Sequence, residues 1–455
     1  MVEELVLQVD DVGTLVDGVN TVWVLTVTFL IFFMHAGFAM LESGQVRSKN
    51  VANQLTKNML TWSVGILAFF LVGAGVSTIV GGLTSGGGYS LAGAFGHLTA
   101  GYDSFEATGG WVDWLFGGVF AMTAATIVSG AVAGRAKLRA YIGYTVALAA
   151  VIYPVVTGLT WAGGFLDQLG FLDFAGGMIV HAVGGIAGLT AAWVIGPRLD
   201  RYNSDGSVNV IPGHSLTFAV LGTLILCFGW YGFNVGTAAT PLASTEGGLA
   251  LGSFSIVGLV ALNTTLGMAA GGVGAAAMTL YMSGKVDTLY VANGMLAGLV
   301  AVTGIVDAVI WPGALAVGLL AGGQLPVVFN FIQHKVKIDD VCAVFPVHGS
   351  AGVLGILALP FIAIDGFSTS QLFAQFAGVV VITVWTVAAT ALVFGAFKAF
   401  GQARVSEDHE HEGLDISEHG VDTYPEFGGP ETVSDGGTVD RTIVRDEDAG
   451  GVADD

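Results

Sequence analysis

Long apolar segments recur along most of this chain and constrain its fold more than any other feature. A helix needs roughly 20 apolar residues to cross the ~30 Å hydrocarbon core of a bilayer. Segments of that length return between residues 20 and 400, and only 11% of the residues are charged. Because backbone groups in lipid must be satisfied within their own segment, the pattern predicts an all-α membrane protein and excludes a soluble enzyme.

We predict eleven transmembrane helices from these segments. Their predicted bounds are 20–41, 56–80, 113–134, 140–163, 174–196, 214–239, 252–282, 289–307, 310–333, 341–363 and 372–400.

The distribution of basic residues predicts the orientation of the chain. Lys and Arg concentrate in the cytoplasmic loops of membrane proteins. All fifteen Lys and Arg residues lie at alternate predicted connections or at and after the last helix. The connections without any are 81–112, 164–173, 240–251, 308–309 and 364–371. We therefore expect the N-terminus outside and the C-terminus inside.

The two ends flank a transport domain at residues 20–400. Residues 1–19 form an acidic leader, which we expect to be extracellular and not a cleavable signal peptide. From residue 404 onward, sixteen acidic residues stand against three basic ones. We expect a cytoplasmic C-terminal segment at 401–425, whose GLDISEHG stretch folds against the membrane domain or a partner. An acidic, disordered tail is expected at 426–455.

Two histidines lie within predicted membrane helices, each eight residues after an aspartate. Asp173 precedes His181 in the fifth helix, and Asp340 precedes His348 in the tenth. At 1.5 Å per residue each histidine lies about 12 Å into the membrane, from opposite sides. Helices five apart in order run in opposite directions, so the spacing predicts an inverted 5+5 repeat plus a final helix, with both histidines lining one pathway.

Other interpretations of the histidines remain open. An intramembrane histidine can serve only as a hydrogen-bonding group between helices, although ionisable residues in membranes are more often functional. A metal site would need further ligands that the sequence does not place nearby, so no metal is expected. Glycine-rich stretches lack the Lys-Ser/Thr of a nucleotide-binding loop, and we expect neither a cofactor nor a nucleic-acid partner.

A passage lined by imidazoles and apolar groups favours a small neutral molecule over an ion. A charge at the centre of a membrane costs several kcal/mol. Neutral imidazole offers one donor and one acceptor, which suits ammonia, and histidine can relay a proton near neutral pH. An arriving cation would therefore have to lose its proton.

Aromatic and hydroxyl groups cluster near the predicted outer mouth. We predict that Trp161, Phe120 and Thr237 bind a cation there, because an aromatic face contributes about 0.5 to 2 kcal/mol to cation binding. Alternatively, Phe120 and Phe233 close the passage below that site. The same aromatic residues would also fit an ordinary interfacial belt.

Five blocks of this sequence resemble the ammonium transporter (Amt/Mep/Rh) family, and its Amt branch in particular. They are FAMLESGQVRSKN, ATIVSGAVAGR, DFAGGMIVHAVGGIAGLTAAWVIGPR, GWYGFNVGT and DDVCAVFPVHGSAG, in family order. The resemblance covers nearly all of residues 20–425. It implies a homotrimer in which each subunit holds its own pore, and a cytoplasmic PII-type regulatory partner.

The resemblance also implies roles for individual residues. His181 and His348 match the twin pore histidines, which hydrogen-bond each other and act in deprotonation and conduction. Phe120 and Phe233 match a stacked gate, and Trp161 matches the cation-binding tryptophan. The remaining matches are Asp173, which would shape the recruitment site, and Thr303, which would lie on the pore side.

Two positions depart from the family pattern. Thr237 stands where serine is frequent, and Gly134 replaces an acidic residue, so any salt bridge there is lost.

We expect electrogenic uptake of ammonium or methylammonium. An electroneutral gas channel and an ammonium sensor acting through the C-terminal tail are the alternatives.

Overall fold

The computed structural model describes residues 9–99, 105–246 and 248–427. The first eight residues of the expected leader and the acidic tail from residue 428 lie outside the described residues.

Eleven apolar helices, labelled α1–α11, follow one another in the part of the chain that the structure describes. They are α1 Val9–Gln45, α2 Ser48–Ser85, α3 Phe105–Val132, α4 Leu138–Leu159, α5 Gly177–Ile195, α6 Leu216–Asn234, α7 Phe254–Ser283, α8 Thr288–Thr303, α9 Trp311–Val336, α10 Phe345–Ile362 and α11 Thr369–Ala399.

Ten of these helices are long and apolar enough to cross a bilayer, and α8 is a shorter apolar helix of 16 residues. The prediction of a helical, multi-pass membrane protein is confirmed. The number of eleven crossings and the orientation stay predictions. Helix α1 begins at Val9, so the described part of the expected leader continues directly into the first apolar helix.

The expectation of an all-α chain was incomplete at the connection between α6 and α7. An antiparallel hairpin forms there from β1, Leu242–Thr245, and β2, Gly248–Leu251. The side chain of Asn20 on α1 accepts a hydrogen bond from the Leu242 N–H and donates one to the Leu242 carbonyl, both at 3.0 Å. These two hydrogen bonds from a distant helix hold β1 in place. The strand is too short, and its sequence pattern too weak, to be predicted from the local sequence.

The contacts between helices repeat after five helices. Helix α1 packs on α3, α3 on α5 and α2 on α4, as α6 packs on α8, α8 on α10 and α7 on α9. The two sets meet where α1 packs on α6 and α5 on α10. This pairing is the one that two related five-helix units would produce, and α11 packs against α4, α5 and α10.

Close backbone approach holds α7, α8 and α9 together. A Cβ atom added at Gly322 on α9 would lie 1.8 Å from the Gly271 carbonyl oxygen on α7. Similarly, a Cβ at Gly298 on α8 would lie 2.1 Å from the carbonyl oxygen of Gly267. Small residues allow this approach. The resulting van der Waals contacts stabilise the packing, because helices in lipid have no hydrophobic driving force for association.

Replacing Gly322 with Ala should separate α7 from α9 and lower the thermal stability of the detergent-solubilised protein. The matched control is Gly323→Ala, since a Cβ there has its nearest neighbour at 3.9 Å. Ala gains up to about 1 kcal/mol over Gly in a helix, so the control should be neutral or stabilising. Equal melting temperatures for the two variants, measured by fluorescence-detected size exclusion, would contradict this packing.

Candidate functional site

Aromatic and imidazole rings form a continuous column through the helix bundle, which we call the ring column. Its members, in order, are Trp161, Phe120, Phe233, His181 and His348. Successive ring centroids lie 5.8, 4.2, 5.1 and 5.4 Å apart. Trp161 is 42% exposed, whereas the other four rings are buried. The column therefore leads from one surface of the protein to a pair of histidines in its interior.

Phe120 and Phe233 lie in closest contact within the ring column. Their centroids are 4.2 Å apart and their planes are inclined by 41°. Phe120 comes from the middle of α3 and Phe233 from the end of α6. Because these two rings separate Trp161 from His181, the structure places them where a plug or gate would stand.

The two imidazoles stack on each other without a hydrogen bond. Their planes are inclined by only 14°, and both nitrogens of His181 and Nδ1 of His348 have no hydrogen-bond partner among the described residues. The mutual hydrogen bond implied by the family resemblance is therefore not formed in this structure. Leaving a buried polar atom unpaired costs about 1 to 3 kcal/mol, so such groups call for a functional explanation.

An aspartate fixes the start of the helix that carries His181. The carboxylate of Asp173 accepts hydrogen bonds of 2.8 to 2.9 Å from the backbone N–H groups of four residues. These are Gly176, Gly177, Met178 and Ile179. Four free N–H groups begin every helix, and here one carboxylate satisfies all of them where α5 starts as a π-helical turn.

Asp340 performs the same task for the helix that carries His348. Its carboxylate accepts hydrogen bonds from the N–H groups of Val344 and Phe345, at 2.9 and 2.8 Å. Helix α10 also starts as a π-helical segment, Phe345–Ser350. The equal spacing of the two Asp–His pairs in the sequence thus reflects one local structure formed twice.

Glycines allow the two histidine helices to touch. A Cβ at Gly185, four residues after His181, would lie 2.2 Å from the Gly349 nitrogen. A Cβ at Gly352, four residues after His348, would lie 2.3 Å from the Gly177 carbonyl oxygen and 3.1 Å from Ala182 Cβ. Each glycine thus faces the residue that follows the other helix's histidine, as a pseudo-twofold axis between the two helices would require.

Trp230 is a residue of the site that the sequence analysis missed. Its ring stacks on His181 with a centroid distance of 4.7 Å and an inclination of 15°. Its indole N–H donates to the hydroxyl of Thr303, which in turn donates to the Leu299 carbonyl. Thr303 therefore holds Trp230 in place against His181. The three-residue spacing between Trp230 and Phe233, which puts both on one helix face, was the available signal.

A cavity of about 370 Å³, which we call the Trp161 cavity, lies at the exposed end of the ring column. Its lining includes Trp161, Phe120, Tyr153 and Thr237. The indole N–H of Trp161 donates to the Asp173 carbonyl at 2.8 Å, and the Thr237 hydroxyl donates to the Phe233 carbonyl. Trp161 thus presents its ring, and Thr237 its oxygen lone pairs, to this cavity.

Buried charges cluster near the first residues of α10, away from the Trp161 cavity. Arg198 and Arg201 both pair with Asp339, at 2.8 and 3.3 Å. Burial alone would raise the pKa of Asp339, but the guanidinium of Arg198 holds it well below its usual range. Arg135 donates to the Asp339 backbone carbonyl. The neighbouring Gly134 adopts a left-handed φ of +75°, which favours glycine over the acidic residue of the family pattern.

The C-terminal segment is anchored on the first residues of α2 and α4. It contains two short helices, α12, Glu407–Glu412, and α13, Leu414–His419. Asp415 accepts a hydrogen bond from the Asn53 N–H and Glu418 accepts one from the Leu138 N–H, both at 2.8 Å. Carboxylates are favoured at these positions, because the N-terminal ends of helices carry free N–H groups and a positive partial charge.

Two further observations concern the other histidines and metals. His35 on α1 is also buried with both ring nitrogens unpartnered, but it packs against Trp62 and Phe32, outside the ring column. Among the described residues, no three His, Cys, Asp or Glu side chains are grouped so that they could hold a metal ion.

These features define a multi-pass membrane transport protein whose candidate site is a column of rings that leads from the surface to two buried histidines. The sequence pattern of the Ammonium Transporter Family matches residues 22–424, and the chain belongs to that family. Amt2 of Haloferax mediterranei is 69% identical over 92% of this chain and 93% of that protein. Amt2 of Archaeoglobus fulgidus is 39% identical over 90% of this chain and 89% of that protein.

Solved structures of the family share the fold. A structure titled "Sensor Amt Protein" has a TM-score of 0.79 and 32% identity, covering 90% of this chain and all of that one. Mep2 of Candida albicans has a TM-score of 0.73 and 25% identity, covering 91% and 92% of the two chains.

Replacing Asp173 with Asn should destabilise the start of α5. The amide keeps one acceptor oxygen but directs an NH₂ group at two backbone donors, a loss of about 2 to 6 kcal/mol for two unpaired groups. The control is Asp167→Asn, an exposed position in the same connection. We expect a lower melting temperature for Asp173→Asn alone, and equal values for the two variants would show that the four hydrogen bonds do not stabilise α5.

Proposed function

We propose that this protein takes up ammonium across the cell membrane and conducts ammonia through the ring column. The observation that carries the proposal is the column itself, which joins a half-exposed tryptophan to two buried imidazoles through an entirely aromatic stretch. Membership of the ammonium transporter family supports the choice of substrate. The biological role would be the uptake of nitrogen.

Recruitment of the cation takes place in the Trp161 cavity. The faces of Trp161 and Phe120 attract a cation through their ring quadrupoles, and the Thr237 oxygen accepts a hydrogen bond from it. The Thr237 hydroxyl donates its proton to the Phe233 carbonyl, so its oxygen stays free to accept from the cation. The methyl group that Thr237 adds, relative to the serine frequent in the family, does not change this.

The cation loses its proton as it passes Phe120 and Phe233: one N–H bond breaks, and the imidazole of His181, the next ring of the column, accepts the proton. The side chains of the ring column beyond the two phenylalanines carry no fixed charge, and a cation would lose its hydration there at a cost of several kcal/mol. Ammonia pays a smaller penalty, and it can donate to and accept from the unpartnered nitrogens of His181 and His348. The same imidazoles are the groups able to relay the released proton.

The protein works as a homotrimer with its N-terminus outside and its C-terminus inside. In this orientation the Trp161 cavity opens outward, and the C-terminal segment and the Arg198–Asp339 pair face the cytoplasm. A PII-type regulatory protein would bind at that face. The carboxylates that cap α2 and α4 make the C-terminal segment part of the same surface.

A sensor is the second candidate function. The observation that favours it is the likeness to the structure titled "Sensor Amt Protein", at 32% identity and a TM-score of 0.79. A sensor would bind ammonium in the Trp161 cavity and signal through the C-terminal segment with little flux.

Replacing His181 with Ala should reduce methylammonium uptake into proteoliposomes at least tenfold, because it removes two of the polar atoms that stabilise ammonia in the column. His35→Ala is the matched control, since His35 is also a buried imidazole with both nitrogens unpartnered, and it lies outside the column. Both variants should assemble normally. Uptake by His181→Ala at the level of the control would remove His181 from the conduction path.

Ammonium pulses applied to the protein on solid-supported membranes should produce a sustained inward current, since we propose that the released proton follows ammonia. The same preparation is assayed for uptake of labelled methylammonium. Uptake without current would establish the electroneutral gas channel, and the absence of both would favour the sensor.

A further inference from the structure

A pair of hydroxyl groups lines the Trp161 cavity apart from Trp161 and Thr237. Ser77 on α2 and Thr157 on α4 both contribute to the cavity wall, and their hydroxyl oxygens are 2.8 Å apart. The close approach of the two helices fixes this pair. A Cβ at Gly158 would lie 2.7 Å from the Ser77 carbonyl oxygen and 2.6 Å from Val80 Cβ.

The hydrogen bonds of the pair determine which way each hydroxyl proton points. Thr157 is within 3.1 Å of the Pro154 carbonyl, and a carbonyl can only accept, so Thr157 donates to it. The Ser77 hydroxyl must then be the donor to Thr157 Oγ1. With its proton directed at Thr157, the Ser77 oxygen presents only lone pairs to the cavity.

We propose that Ser77 supplies a second hydroxyl, besides that of Thr237, which accepts a hydrogen bond from the ammonium ion in the Trp161 cavity. The inference rests on the proposed uptake of ammonium and adds a specificity-determining residue to it. Thr157 acts as a positioning residue, because it holds the Ser77 proton away from the incoming cation.

The size of the cavity leaves room for a cation to contact both hydroxyls. Its volume of about 370 Å³ is several times the ~30 Å³ that a water molecule occupies in the liquid, so a partly hydrated cation fits. Ser77 and Thr237 both give their protons to the protein, and both therefore accept from N–H donors. A metal cation needs a full shell of oxygens in place of its water, which two hydroxyls and aromatic faces do not supply.

Kinetics of ammonium-induced current or methylammonium uptake test the proposal with Ser77→Ala. Removing a hydrogen bond to a charged group should raise the half-saturation concentration about tenfold or more, with the maximal rate retained. Ser77→Thr keeps the oxygen and should restore the wild-type value. The matched control is Thr78→Val, an adjacent exposed residue whose hydroxyl bonds its own helix at Ala74.

Thr157→Val provides an independent test of Ser77. If Ser77→Ala is not recovered as folded protein, the half-saturation concentration of Thr157→Val tests the proposal by itself. Loss of the Thr157 oxygen frees the Ser77 proton to point into the cavity, so the half-saturation concentration should again rise. An unchanged half-saturation concentration in these variants, or a fall in maximal rate only, overturns the role of Ser77. Failure of the proposed function is distinct, because the wild-type protein would then show neither uptake nor current.

Discussion

The crossing of α5 and α10 is the constraint on which the rest of the structure depends. The two helices approach until backbone meets backbone at Gly185 and Gly349, and this brings the imidazoles of His181 and His348 together, with nearly parallel planes and centroids 5.4 Å apart. Neither helix could begin so deep in the protein without a partner for its free N–H groups. Asp173 and Asp340 supply that partner from within the chain, so each histidine is positioned by an aspartate eight residues earlier.

Placing two imidazoles with unpaired nitrogens in an apolar interior works against stability. Each unpaired atom costs about 1 to 3 kcal/mol, and the surrounding rings of Trp230, Phe233 and Phe38 offer no conventional acceptor. The packing of α5 and α10 and the eight-residue Asp–His units offset this cost. Strain of this kind is expected at functional sites, where a passing ligand can make the missing hydrogen bonds.

The sequence was sufficient to predict a helical, multi-pass membrane protein of the ammonium transporter family, because long apolar segments and recognisable blocks determine both. The roles of His181, His348 and the aromatic residues stay predictions, although their rings lie in one column. The sequence was insufficient wherever two distant segments decide the outcome. The stacking of Trp230 on His181, the hairpin anchored by Asn20 and the hydroxyl pair of Ser77 and Thr157 all follow from packing between helices. The absence of a hydrogen bond between the imidazoles is likewise a matter of ring orientation, which spacing does not determine.

The pair formed by α2 and α4 links the two ends of the molecule. Backbone N–H groups near the start of each helix donate hydrogen bonds to carboxylates of the C-terminal segment, and the far ends of the helices carry the hydroxyls that line the Trp161 cavity. Between these ends both helices contain a π-helical turn, and they touch there, since a Cβ at Gly73 would lie 2.2 Å from the Ala149 carbonyl oxygen. Contacts at both ends and in the middle thus fix the relative position of α2 and α4. The geometry of the cavity wall consequently depends on contacts that run the full length of α2 and α4, and not on the residues of the cavity alone.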